Sequence, residues 1–316
     1  MKKVLITSRS FGRISDQPMS ILKNAGFEVV RMDQGFDQEV FNASIVDYDA
    51  LIIGAHPFPP EVMEKCSKLK IICKHGVGLD NIPLEKAKEL GIAVSNTPGT
   101  NSNAVADLAF GIMLSLARRI GEANALVLDH QWKTVIGVDV YAKTLGLIGF
   151  GAIAKNVARR AAGFSMKVLV YDPFVKEIPD EFRSYVELCS FDQVIENSDF
   201  VSIHVPLTDE TRGLFSLTEM KRMKKTSFLI NTSRGGIVDE KDLYEAVSTG
   251  IIAGAGTDVP VKEPMEDDNP LRILPNMVIT PHIGMYSKEA VEAISLICAN
   301  NAVAACEGKE IVHRVV

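Results

Sequence analysis

The run Thr144-Leu145-Gly146-Leu147-Ile148-Gly149-Phe150-Gly151-Ala152-Ile153-Ala154 decides the fold. Thr144–Ile148 has a strand pattern, and Lys155–Ala162 reads as helix. Between them lies G-x-G-x-x-A. Gly149 makes the tight turn, Gly151 lets the backbone approach a pyrophosphate, and Ala154 is small enough for helix-on-strand packing. The free amides at the helix start face the phosphates. Taken alone, this is also what a Gly-rich turn looks like. The next strand, Lys167–Tyr171, ends on Asp172, 21 residues after Gly151. An acid at that distance accepts hydrogen bonds from the adenosine ribose hydroxyls and repels a 2′-phosphate, so NAD is favoured over NADP. Asp172 as a plain turn residue before Pro173 is the competing reading; strand, loop, helix, strand and acid in order outweigh it.

Working outward, the alternation continues on both sides. Downstream, Phe200–Val205, Ser227–Asn231, Ile252–Thr257 and Met277–Thr280 read as strands with helices between them. Upstream, Lys3–Thr7, Phe27–Met32, Ala50–Gly54, Lys70–Lys74 and Ala93–Ser95 do the same, with helical segments such as Pro18–Asn24 and Pro60–Leu69. Such alternation indicates βαβ units and parallel sheets. The stretch 95–102 is rich in turn residues, and Pro98-Gly99 is a strong breaker. A long helix then runs from Ser102 to about Ile120, burying Ala106, Ala109, Phe110, Met113, Leu114 and Leu116. The last helix, Ser287–Cys306, follows a finished second sheet and is expected to return to the first domain. The reading is α/β throughout. Residues 1–98 and 285–316 form one domain, and the NAD-binding domain, 99–284, is inserted into it. Hinges near Pro98 and Met285 imply a closing cleft.

The 316 residues carry 34 basic and 40 acidic side chains, a net charge of −6, with ordinary globular usage of apolar residues. That balance argues against nucleic-acid and polybasic membrane surfaces. No apolar run approaches the ~20 residues that span a bilayer. The start, Met1 to Arg9, reads as a first strand and not as a signal peptide. Five cysteines, at 66, 73, 189, 298 and 306, form no C-x-x-C. They read as small buried residues in a reducing cytoplasm, with no disulfide and no metal site.

Four further stretches carry chemistry. They are Gly76-Val77-Gly78-Leu79-Asp80-Asn81-Ile82, Asn231-Thr232-Ser233-Arg234-Gly235-Gly236-Ile237-Val238-Asp239, Asp258-Val259-Pro260-Val261-Lys262-Glu263-Pro264 and Thr280-Pro281-His282-Ile283-Gly284. With the dinucleotide loop they resemble the D-isomer-specific 2-hydroxyacid dehydrogenases over nearly the whole chain. The resemblance implies a Rossmann domain inserted into a flavodoxin-like substrate domain, and a homodimer joined through the cofactor domain. It implies Arg234, Glu263 and His282 as the catalytic set. Gly149, Gly151, Ala152, Ile153, Asp172, Val205, Pro206, Thr211, Thr232, Ser233 and Asp258 are the implied NAD contacts, and Lys74, Val77, Gly78 and Arg234 the implied substrate contacts. Trp132 falls in the segment used for dimerisation, with a core position as the alternative. The implied substrate is a small 2-hydroxy or 2-keto acid. The 3-phosphoglycerate/3-phosphohydroxypyruvate pair comes first, and glyoxylate or hydroxypyruvate second.

The residue types suit that chemistry. Reducing a 2-keto acid needs a cation for the carboxylate, and the Arg fork fits it bidentately. It needs a proton donor, for which His is the usual choice, and a neighbouring carboxylate fixes the imidazole tautomer. Gly76-Val77-Gly78 can present amides to an anion. Each residue also has an ordinary reading: Arg234 as a surface Arg, His282 as a structural His, Glu263 as a solvated acid easily confused with Glu266, Asp267 or Asp268. The spacing Asp-Val-x-x-x-Glu-Pro selects Glu263. His204 reads as a packed His, while His56 and His75 are placed near the substrate mouth. The chain departs from the family pattern at Pro260, where an aromatic is common, at Met285, where a Gly is common, and at Gly54–Phe58, which lacks the Arg of phosphoglycerate enzymes. The rival from another class is an NAD-sensing scaffold of the same fold. Formate dehydrogenases, which are relatives, lack the Glu that Glu263 supplies.

Overall fold

The computed structural model describes residues 2–32 and 35–316. The chain forms two compact units, one made of the residues up to Asn101 together with Met285–Val316, the other of Ser102–Gly284.

In the first unit the elements run β1 (Lys2–Ile6), α1 (Gln17–Asn24), β2 (Phe27–Arg31), α2 (Gln38–Ser44), β3 (Ala50–Ile53), α3 (Pro60–Met63), β4 (Ile71–Lys74), α4 (Leu84–Glu89) and β5 (Ala93–Ser95). All pairings are parallel, in the order β2-β1-β3-β4-β5, which is the flavodoxin-like arrangement. The central strands Ala-Leu-Ile-Ile and Ile-Ile-Cys-Lys are continuous buried runs, as a sheet covered on both faces requires. The helical reading of Pro60–Leu69 is too long. α3 stops at Met63, and short-range turns carry the backbone on, with the Lys65 amide donating to Val62 and that of Cys66 to Met63.

The second unit holds α5 (Ser102–Arg118), α6 (Ile120–Leu128), β6 (Thr144–Ile148), α7 (Ala152–Gly163), β7 (Lys167–Tyr171), β8 (Val186–Leu188), α8 (Phe191–Asn197), β9 (Phe200–Ile203), α9 (Leu217–Arg222), β10 (Phe228–Asn231), α10 (Glu240–Ser248), β11 (Gly254–Thr257) and β12 (Met277–Ile279). Its sheet order is β12-β11-β10-β9-β6-β7-β8, the Rossmann order with a seventh strand added. Two features differ from the sequence reading. The helix from Ser102 ends at Arg118, because Arg119 turns left-handed (φ 53°), and a separate helix, α6, follows with none of its residues buried. The edge strand β8 went unread, since only Val186 of its three residues is buried and no alternation can show. Trp132 is 93% exposed, which excludes the core alternative.

The final helix, α11 (Lys288–Glu307), belongs to the first unit and packs on α1 and β4. Ser287 caps its start and Gly308, left-handed at φ 70°, ends it. By length and composition it could cross a membrane, a correction to the expectation that no segment comes near. Its apolar residues are spent on the core instead, with Val291, Ile294, Cys298, Ala299 and Ala302 all buried. All five cysteines are free thiols. Burial pushes Cys66 up to about 11 and Cys73 up to about 12, so neither offers a reactive thiolate.

Helix α5 lies hard against the second sheet. A methyl group built on Gly256 of β11 would run into Ile112 Cγ2, whereas one on Gly111, on the exposed side of α5, meets nothing within 4 Å. Gly256→Ala should therefore lower the thermal midpoint, at a cost of ~1–3 kcal/mol for overpacking. Gly111→Ala should raise it by ~0.5–1 kcal/mol of helix propensity. Thermal unfolding of the two variants beside the parent checks both signs.

Candidate active site

The dinucleotide loop leaves β6 through Gly149, whose φ of 92° and close approach exclude a side chain: a Cβ there would sit 2.5 Å from the His204 carbonyl oxygen. A Cβ on Gly151 would meet nothing within 4 Å, so the space in front of the helix start is open. No side chain caps α7, which leaves the first-turn amides of Ala152 and Ile153 to a ligand. At the end of β7, Asp172 Oδ2 accepts from the Phe150 amide (2.8 Å) and Oδ1 from the Phe174 amide (2.9 Å). The loop's own backbone thus aims this carboxylate, and each oxygen keeps a lone pair for a ribose hydroxyl. Thr232 Oγ1, just past β10, is buried with no partner among the described residues. An open anion cradle, an aimed acid and an orphaned hydroxyl fit a dinucleotide.

Two other expected cofactor residues have hydroxyls bonded within the protein. Thr211 Oγ1 donates to the Pro206 carbonyl (2.6 Å) and accepts from the Thr208 amide (2.8 Å), so it shapes the loop holding Val205 and Pro206. Ser233 Oγ donates to the Ile203 carbonyl (2.7 Å), tying the end of β10 to the end of β9.

Arg234 stands on a turn built by Asn231, a residue the sequence reading passed over. Asn231 Oδ1 accepts from the Ser233 amide (3.0 Å), and its Nδ2 donates to the Arg234 carbonyl (2.9 Å). An Asn closing a strand before a polar turn is the signal that would have found it. The buried Asp258 does similar work after β11. It accepts from Thr280 Oγ1 (2.6 Å) and from the amides of Ile283 and Gly284 (both 2.8 Å). Burial raises the Asp258 carboxyl above its ordinary range, against the pull of those donors and of His282. His282, left-handed at φ 53°, is fixed by its amide bonding to the Asp258 and Thr280 carbonyls. Its Nδ1 lies 2.8 Å from Glu263 Oε2 and 3.0 Å from Oε1, so Nε2 is turned away from the acid. Glu266 pairs with Lys262 instead, and Asp267 lies 3.6 Å from Arg272.

In the first unit Lys74 ends β4 with its Nζ donating to the Gly54 carbonyl and to Asn81 Oδ1, both at 2.8 Å. Val77 and Gly78 follow at a turn through Gly76, φ 143°. His75, placed near the substrate mouth by its sequence neighbours, is buried in the first unit. Nε2 sits 2.9 Å from Ser295 Oγ, and burial drives its pKa down to about 3. His56 is bonded to Thr7 Oγ1 (2.7 Å), stacked on Phe36, and lowered to about 4 by burial. His204 is a packed His bonded to Ser202 Oγ (2.9 Å), likewise lowered to about 4 by burial.

Residues 110–284 match the family model described as D-isomer specific 2-hydroxyacid dehydrogenase, NAD binding domain. The chain belongs to this family. It is 41% identical over 279 residues to a glyoxylate reductase from Korarchaeum cryptofilum, covering 86% of this chain and 84% of the relative. It is 38% identical over 299 residues to a D-3-phosphoglycerate dehydrogenase from Archaeoglobus fulgidus, covering 93% of this chain and 56% of that longer protein. The crystal structure of a protein from Thermus thermophilus superposes with a TM-score of 0.91 at 35% identity, over 99% of this chain and 100% of that one. As a D-2-hydroxyacid dehydrogenase the chain is an NAD-dependent oxidoreductase.

Two measurements follow from this geometry. An acid in the place of Asp172 would repel a 2′-phosphate, so kcat/KM for NADH should exceed that for NADPH by ~10-fold or more; comparable values would exclude Asp172 as a ribose contact. Glu263→Gln keeps the shape and removes the charge beside His282. The rate of keto-acid reduction at neutral pH should then fall ~10-fold. An unchanged rate in Glu263→Gln beside a fall in Glu266→Gln would remove Glu263 from the reaction.

Proposed function

We propose that this dehydrogenase interconverts a small, unphosphorylated D-2-hydroxy acid and its 2-keto acid, with glyoxylate or hydroxypyruvate as the keto partner. The observation that carries the substrate class is the engagement of Lys74 with Gly54 and Asn81. A phosphate dianion calls for convergent cations. Here the ammonium is spent on protein oxygens, the 54–58 loop holds no Arg, and burial keeps His56 neutral at physiological pH. The 3-phosphoglycerate pair, first on sequence, is the second reading, and the similarity to the Archaeoglobus relative supports it.

The 149–154 loop and Asp172 would hold NAD, which would supply hydride chemistry at C2. In the reducing direction His282 Nε2 donates a proton to the carbonyl oxygen as it becomes the alkoxide. Glu263, on Nδ1, holds the tautomer. Arg234 offers its planar fork to the carboxylate and polarises the adjacent carbonyl. Within the first unit, the amides of Val77 and Gly78 are the proposed carboxylate donors.

We further propose a homodimer formed through the second unit. Leu128, Trp132, Ile136 and Tyr141, on and just after α6, are large, apolar and exposed, the kind of residues a second copy would cover. Sedimentation should give twice the chain mass, and Trp132→Glu with Ile136→Glu should give a monomer. Five free thiols and a charge of −6 support a cytoplasmic setting without nucleic-acid or membrane partners.

Oxidation of NADH with a panel of keto acids tests the reaction. Glyoxylate or hydroxypyruvate should give a higher kcat/KM than 3-phosphohydroxypyruvate, and Lys74→Ala should change KM for both kinds alike. A selective rise in KM for the phosphorylated acid would restore the second reading. NADH binding with no turnover across the panel would favour the scaffold.

A further inference from the structure

The turn bearing Val77 and Gly78 is held by two side chains to which no role has yet been given. Thr97, fully buried, donates twice to the Gly76 carbonyl, through its amide (3.1 Å) and through Oγ1 (3.0 Å). Asn96 Nδ2 donates to the next carbonyl, that of Val77 (2.8 Å). In a trans peptide the C=O and N–H are antiparallel, so fixing a carbonyl fixes the amide of the following residue. Both peptides concerned are trans. The Gly76 carbonyl therefore sets the direction of the Val77 N–H, and the Val77 carbonyl sets that of the Gly78 N–H.

In an extended strand consecutive carbonyls point to opposite sides. Here two consecutive carbonyls both turn toward the 96–97 segment, so both amides turn away from it, to one side. Neither amide meets a protein acceptor among the described residues. Two adjacent N–H groups sharing a direction make an anion nest. Gly76, at φ 143°, permits the sharp entry.

We propose that Asn96 and Thr97 are positioning residues for the carboxylate of the 2-keto acid, acting through the Val77 and Gly78 amides. This rests on the reaction proposed above. It adds that affinity for the carboxylate is written in the Asn-Thr pair that ends the first domain's sheet, two residues that need not touch substrate.

The test compares Asn96→Ala, Thr97→Val and Thr97→Ser with the parent. KM for glyoxylate, KM for NADH, kcat, the inhibition constant of oxamate as a non-reacting carboxylate, and the thermal midpoint are read for each. Losing one aiming bond should raise KM for glyoxylate and the oxamate constant together, by about 5–10-fold. KM for NADH should hold and kcat should stay within about twofold. Thr97→Ser, which keeps the hydroxyl, should behave as the parent. Asn96→Asp, which loses the donor at constant shape, serves if Asn96→Ala does not fold, and the same rise is expected. A lower midpoint with unchanged glyoxylate and oxamate constants, or an equal rise in KM for NADH, overturns the proposal. Absence of turnover in the parent with every keto acid overturns the reaction itself, and this proposal with it, before any variant is compared.

Discussion

The carboxylate of Asp258, one residue past β11 and sealed from solvent, collects hydrogen bonds from Thr280, Ile283 and Gly284. Burying a charge is costly unless it is fully bonded, and the upward shift of this carboxyl records that cost. In return the 280–284 turn has one conformation. His282 sits in a left-handed region that a non-glycine residue enters at a penalty of about 1 kcal/mol or more. It stays there because its amide is bonded and the two residues after it are anchored to the same acid. With the backbone so fixed, the imidazole meets Glu263 through Nδ1. The meeting of His282 with Glu263 thus depends on one buried acid that touches neither side chain's pairing atoms.

Histidine chemistry in this chain divides by burial. His75, His56 and His204 are pressed against apolar neighbours or hydroxyls and driven to about 3 to 4. At neutral pH they carry one proton each and serve as fixed hydrogen-bonding groups of the two cores. His282 is 46% exposed in its side chain and has a carboxylate at one nitrogen. Exposure and a paired acid thus set it apart from the other three, as the role proposed for it requires.

Much of this was legible in the sequence because the fold's strongest signals are local. The strand into Gly149 and the acid at Asp172 lie in one βαβ unit, and the buried strands of both sheets are continuous apolar runs. What escaped depends on contacts distant in the chain. β8 exists because Val168 and Val170 of β7 offer pairing partners to a three-residue segment with no pattern of its own. The break at Arg119 is a single backbone conformation. His75 is held in the core by Ser295, which α11 brings to it from more than 200 positions later. The hydroxyls of Thr211 and Ser233 bond to carbonyls of neighbouring loops. In a sheet of parallel strands, loops from distant segments end side by side on one edge. Sequence spacing alone does not reveal which polar groups pair there and which face a ligand.

That crowding also explains the two glycines after Arg234. Gly236 has the positive φ that a turn demands, but Gly235 does not, and flexibility is no account of it. A Cβ on Gly235 would stand 2.5 Å from the Pro260 carbonyl oxygen. The turn that carries Arg234 therefore rides directly on the backbone of the loop that carries Glu263, with no side chain between them. Asn231 binds the first turn to the end of β10, while Glu240 binds the second through the Val261 amide (2.7 Å). The Arg234 turn and the Glu263 loop thereby meet backbone to backbone, and a side chain at 235 would have to push those two backbones apart.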